Sequence, residues 1–188
     1  MHLSFESVLG IALGIGLAAA AGFRIFVPLL VAGIAARAGY LPLADGFHWL
    51  ASTPALLMLG TAAVFEVVAY CIPGVDHALD VIASPATVAA GVVASAAVMA
   101  DIPPGVLWPV AIIAGGGAAG LTKGSTALLR AKSGIMTGGL ANPVVSTVET
   151  IGATGLAILA IVVPLLCLAG IVALLYWATR KAGRVLFG

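Results

Sequence analysis

Four charged residues, Arg24, Glu66, Lys123 and Glu149, lie inside otherwise apolar stretches of this chain, in the order base, acid, base, acid. A charge at bilayer depth costs about 3 kcal/mol on insertion scales, so each needs a partner, a water-filled cavity or a task. Paired as Arg24 with Glu66 and Lys123 with Glu149, they would ring a midplane cavity. The acids could then carry protons or hold a cation, and the bases could receive an anionic solute or a lipid phosphate.

Two further constellations carry chemistry. In IPGVDHALD, from Ile72 to Asp80, Pro73 and Gly74 break the chain and Asp76 is placed to cap the following helix. A sharper reading takes Asp76, His77 and Asp80 as oxygen and nitrogen ligands clustered at a membrane boundary, where a cation could pause. In KSGIMTGGLANP, from Lys132 to Pro143, Gly138 and Gly139 permit positive φ and Asn142 can cap a helix starting at Pro143. Beside Arg130 and Lys132, exposed amides there could hold a phosphate or lipid headgroup, although a plain re-entrant turn is the simpler reading.

Enzymatic motifs are missing. There is no HExxH pair, and His2, His48 and His77 fall near expected ends or loops. Ser84 and Ser125 have no base at helical spacing. GGGAAG at Gly115 to Gly120 matches G-x-G-x-x-G but lies in an apolar helix with no strand before it, which argues against nucleotide binding. Cys71 and Cys167 read as small hydrophobes, and no metal-ligand spacing or cofactor motif is visible.

The elements that must position these residues are membrane helices. The 188 residues are 62% hydrophobic and 8% charged, against roughly 25% charged in soluble domains. The mean hydropathy is +1.23. A net charge of +1, with no basic patch before the tail, argues against nucleic acid as a partner. The segment MHLSFES has no Lys or Arg and contains Glu6, so the first apolar stretch is expected to remain in a single membrane domain covering 1–188.

Candidate spans run from Val8 to Ala21, Ile25 to Ala38, Pro54 to Ile72, Val81 to Ala100, Val106 to Leu121 and Pro143 to Thr179. A span needs about 20 residues, so the long runs beginning at Ser7 and at Pro143 require interruption. Pro28 and Pro164 are the expected break points. The expected fold is an all-α polytopic membrane bundle of six to seven segments with broken or re-entrant helices. AGFR at Arg24 and GLTK at Lys123, each followed by an acid-bearing span, suggest an inverted repeat with halves of about 7–100 and 101–180.

Arg180, Lys181 and Arg184 place the C-terminus in the cytoplasm by the positive-inside rule. Gly10 and Gly14, and Gly116, Gly120 and Gly124, repeat at four-residue spacing, which lets helix backbones approach closely and offers a surface for a homodimer.

GFRIFVPLL at Gly22 to Leu30, FEVVAYCIPGVDHALD at Phe65 to Asp80, the glycine run at Gly115 and GGLANPVVSTVE at Gly138 to Glu149 together resemble a bacterial membrane family, domain of unknown function 4126. The resemblance extends over nearly the whole chain. It implies a multi-pass fold in the bacterial inner membrane and weight on Arg24, Glu66, Asp76 and Glu149. The family has no established activity, so it implies no substrate.

The favoured function is a small transporter or channel, in the lipid bilayer, for an ion, a proton-coupled solute or an anionic headgroup. The alternative is a structural or assembly protein whose charge pairs lock helices together. An intramembrane lipid-modifying enzyme is the third reading.

Overall fold

A computed structural model of the protein describes residues 4–72, 75–138 and 140–173, without the side chains of Asp76 and His77. All secondary structure among the described residues is helical. The helices are α1 (Phe5–Phe23), α2 (Phe26–Arg37), α3 (Thr53–Ala69), α4 (Val75–Ala97), α5 (Pro104–Thr137), α6 (Asn142–Val162) and α7 (Pro164–Ala173), with a short 3-10 turn at His48–Ala51 before α3. Among the described residues four stretches are long and apolar enough to cross a membrane: α1, the Ala78–Ala97 part of α4, α5 and α6. The other three helices are apolar but shorter, so the architecture is an all-helical bundle with four candidate membrane spans.

The α1 helix is the central post. Ser4 caps it by accepting the Ser7 N–H at 3.1 Å, and its run from Leu17 to Ala21 is buried throughout. These mostly small side chains let α4, α5 and α6 pack against α1 at once, where tight contact substitutes for a hydrophobic force that lipid cannot supply. One close approach joins α4 and α5. A Cβ added at Gly115 would lie 2.6 Å from Ser95 Cβ and 3.0 Å from the Gly91 carbonyl oxygen. Gly14 likewise meets α4 at Ser95, Gly10 meets Val98 and Met99 just beyond its end, and Gly116 and Gly120 face Val92 and Val88. These glycines of the four-residue pattern are therefore used inside the protomer.

Neighbouring residues fix the helix directions. Gly14 and Gly115 both meet Ser95, while Gly22 meets Ala119 and Thr122, so α1 and α5 run parallel. Gly16 against Ala160, and Arg24 against Ser146, make α6 antiparallel to α1. Hence AGFR and GLTK lie on helices running the same way, which an inversion of one half onto the other would not produce.

Both expected interruptions have counterparts, and one differs in place and cause. Between α6 and α7 the break falls at Val163 (φ −141°, ψ 72°), since a residue before proline is pushed out of the helical region. Between α1 and α2 the chain turns at Arg24, which is extended at φ −143°, ψ 126°. Pro28 lies within the first turn of α2, where a missing N–H removes no helical bond. The agent of this break is Glu66, whose Oε1 accepts Ile25 N–H at 2.8 Å and whose Oε2 accepts Phe26 N–H at 3.2 Å. These are N–H groups that a helix start leaves orphaned, and the carboxylate also suits the positive end of the helix dipole.

Two prolines lie inside helices. Pro85 is internal to α4. Two residues beyond Pro109, α5 widens into a π-helical stretch at Ala111–Gly116.

Candidate functional site

The charges converge where helices begin and end. Arg24 follows the last residue of α1, Glu66 and Tyr70 lie at the end of α3, Asp80 lies near the start of α4, and Glu149 near the start of α6. Lys123 and Arg130 reach the same place from within α5. Seven residues are about two helical turns, so these two bases share a face. Counted from Pro104, Lys123 lies about 29 Å along α5, close to the whole thickness of a hydrocarbon core. The site thus gathers the ends of α1 and α3, the starts of α4 and α6, and the second half of α5.

The ionic partners differ from those suggested by sequence order. Glu149 Oε2 accepts from Arg130 Nη2 and lies 3.4 Å from Arg24 Nη2. Lys123 Nζ donates to Asp80 Oδ1 at 2.7 Å and to the Tyr70 hydroxyl at 2.9 Å. Arg130 Nε lies 3.6 Å from Asp80 Oδ2, so Arg130 links the two acids. Arg24 also donates from Nη2 to the Ser146 carbonyl at 2.9 Å and to Ser146 Oγ at 2.6 Å, and from Nε to Thr150 Oγ1 at 3.2 Å. Glu66, expected opposite Arg24, is engaged instead on the backbone of the α1–α2 turn.

Tyr70 is the hub. Its ring centroid lies 4.6 Å from Arg24 Cζ, 5.1 Å from Lys123 Nζ and 4.4 Å from Arg130 Cζ. Cation–π attraction contributes about 0.5–2 kcal/mol per contact, more where water is excluded, and Tyr70 is 3% exposed. Three cations so close would repel strongly were Glu66, Asp80 and Glu149 not interleaved among them. Even so, the Nη1 atoms of Arg24 and Arg130 are buried and make no hydrogen bond among the described residues.

The remaining expectations resolve unevenly. Asp80 pairs with two cations, whereas the side chains of Asp76 and His77 lie outside the described residues; α4 starts at Val75, which puts Asp76 inside the first turn. Among the described residues no group of at least three His, Cys, Asp or Glu could hold a metal. Gly138 does adopt positive φ (61°) and ends α5. Gly139 lies outside the described residues, as do Arg180, Lys181 and Arg184. Arg130 is 2% exposed and turned into the ionic cluster, away from that loop, while Asn142 is buried as the first residue of α6 rather than preceding it as a cap.

Tyr70, Ser146 and Thr150 were not singled out by sequence. Their signal is helical spacing: Tyr70 follows Glu66 by one turn, and Ser146, Glu149 and Thr150 share one face of α6.

The family model for domain of unknown function 4126 (DUF4126) matches residues 11–184. The chain belongs to this family. No curated protein and no solved structure matches it. The matched region contains every member of the DUF4126 chain's ionic cluster, from Arg24 to Thr150.

Proposed function

We propose that the protein is a small membrane transporter whose solute site is the cluster of Arg24, Lys123 and Arg130 around Tyr70. The supporting observation is the pair of buried guanidinium Nη1 atoms with hydrogen-bonding capacity unused among the described residues. A buried unsatisfied donor costs about 1–3 kcal/mol, and more when charged, so a purely mechanical contact has reason to eliminate it. Family membership, the apolar helices and the basic tail favour a bacterial inner membrane with a cytoplasmic C-terminus.

A helix lock is the second reading, favoured by the match of three buried cations with three carboxylates contributed by α3, α4, α5, α6 and the α1–α2 turn. Exchanging Lys123 and Asp80 (K123D with D80K) separates the two. In purified protein a lock keeps its melting temperature and gel-filtration profile after the exchange. A transporter keeps the fold but loses uptake of radiolabelled anions into proteoliposomes. Wild-type uptake no greater than that of protein-free liposomes would remove the transport reading, and uptake unchanged by the exchange would remove this cluster as its solute site.

A further inference from the structure

Glu149 stands where an anion would bind. One of its oxygens, Oε2, serves two guanidiniums at once, and those are the two that carry an unpartnered Nη1. A planar guanidinium fork is matched to an oxyanion that presents two oxygens, and here each fork offers one engaged and one idle nitrogen. The other acids are committed elsewhere: Glu66 to the backbone of the α1–α2 turn, and Asp80 chiefly to Lys123.

We propose that Glu149 is a tethered surrogate for a small oxyanion, a carboxylate or a phosphate, which takes its place on Arg24 and Arg130 when Glu149 binds a proton. The inference rests on the transporter reading of the same site. The exchange is balanced: the Glu149 carboxylate gains a proton and becomes neutral, and one monoanion enters the two guanidinium forks, so the buried charge is unchanged. Departure of the anion returns the proton and restores the Glu149 ion pairs. The ionisable groups around Glu149 are Arg24 from the α1–α2 turn, Glu66 and Tyr70 from α3, Asp80 from α4, and Lys123 and Arg130 from α5. All three cations stabilise the Glu149 anion, and an incoming oxyanion takes over that role. Proton and anion are thereby thermodynamically linked, each raising the affinity for the other.

The test measures anion binding to the purified protein in detergent, by thermal stabilisation, at constant ionic strength from about pH 5 to pH 8. Inorganic phosphate and gluconate are the probes, and gluconate keeps one charge over this range. In the wild type, affinity for gluconate, or for phosphate after correction for its own protonation, should rise as the pH falls. Glu149→Gln, which mimics the protonated acid, should bind about tenfold more tightly and lose that pH dependence. Arg130→Gln should abolish binding. Which probe binds decides between a carboxylate and a phosphate ligand. Affinity flat with pH in the wild type, or no tighter in Glu149→Gln, overturns the proposal; the wild-type series alone decides it if the variant does not fold. Tight, pH-linked binding without flux in proteoliposomes would keep this inference and sink the transport reading. Flux indifferent to pH and to Glu149 would do the reverse.

Discussion

At the scale of single residues, Tyr70 joins two chemistries that substitution can separate. Its ring meets three cations and its hydroxyl accepts from Lys123. Tyr70→Phe keeps the ring and removes one acceptor, with an expected loss of about 1–2 kcal/mol in unfolding free energy. Tyr70→Leu removes the π-face from beneath three cations as well, and should cost about 3–5 kcal/mol. Denaturation of the purified variants in a common detergent checks the order, and equal losses would deny the ring its role. The sequence made the importance of Arg24, Glu66, Lys123 and Glu149 legible, because isolated charges in apolar runs are conspicuous. It did not disclose their partners. Arg130 read as a loop residue since it lies beyond the candidate span ending at Leu121, yet its two-turn spacing from Lys123 places both on one helical face. Glu66 read as a salt-bridge acid, yet its two oxygens hold backbone N–H groups that only the folded turn brings to it.

At the scale of elements, the contact between α4 and α5 is set by the absence of side chains. Gly115→Ala adds a methyl 2.6 Å from Ser95 Cβ, with the Gly91 carbonyl at 3.0 Å, so the helices must separate. Overpacking of this kind costs about 1–3 kcal/mol. The expected outcome is a lower melting temperature for Gly115→Ala, with little change for Gly117→Ala, which meets nothing within 4 Å. Four-residue glycine spacing was visible in the sequence, but whether it joins helices within one chain or between two was not. That depends on helix rotation, which composition does not encode. The break after α6 was legible because proline acts on its immediate neighbour; the break after α1 was legible as the gap between the candidate spans ending at Ala21 and starting at Ile25, but not in cause, because a carboxylate about forty residues away in sequence stabilises it.

At the scale of the whole molecule, charge neutrality ties four helices and the α1–α2 turn together. Removing one member of a buried ion pair costs about 3–5 kcal/mol, whereas removing both is far milder. Asp80→Asn alone should therefore destabilise the protein more than the double variant Asp80→Asn with Lys123→Gln. A double-mutant cycle on melting free energy should give a coupling of about 1–3 kcal/mol. Additive effects would mean that the pair makes no net contribution.

The π-helical stretch at Ala111–Gly116 bears on the same ionic centre from a distance. A π turn holds an additional residue within the ordinary helical repeat. Were that stretch to relax to regular α-helix at constant length, everything beyond it would rotate by about 100° and advance by about 1.5 Å. Lys123 and Arg130 would then leave the Tyr70 ring together. The aim of two cations thus depends on one surplus residue, located in a stretch that carries no charge at all.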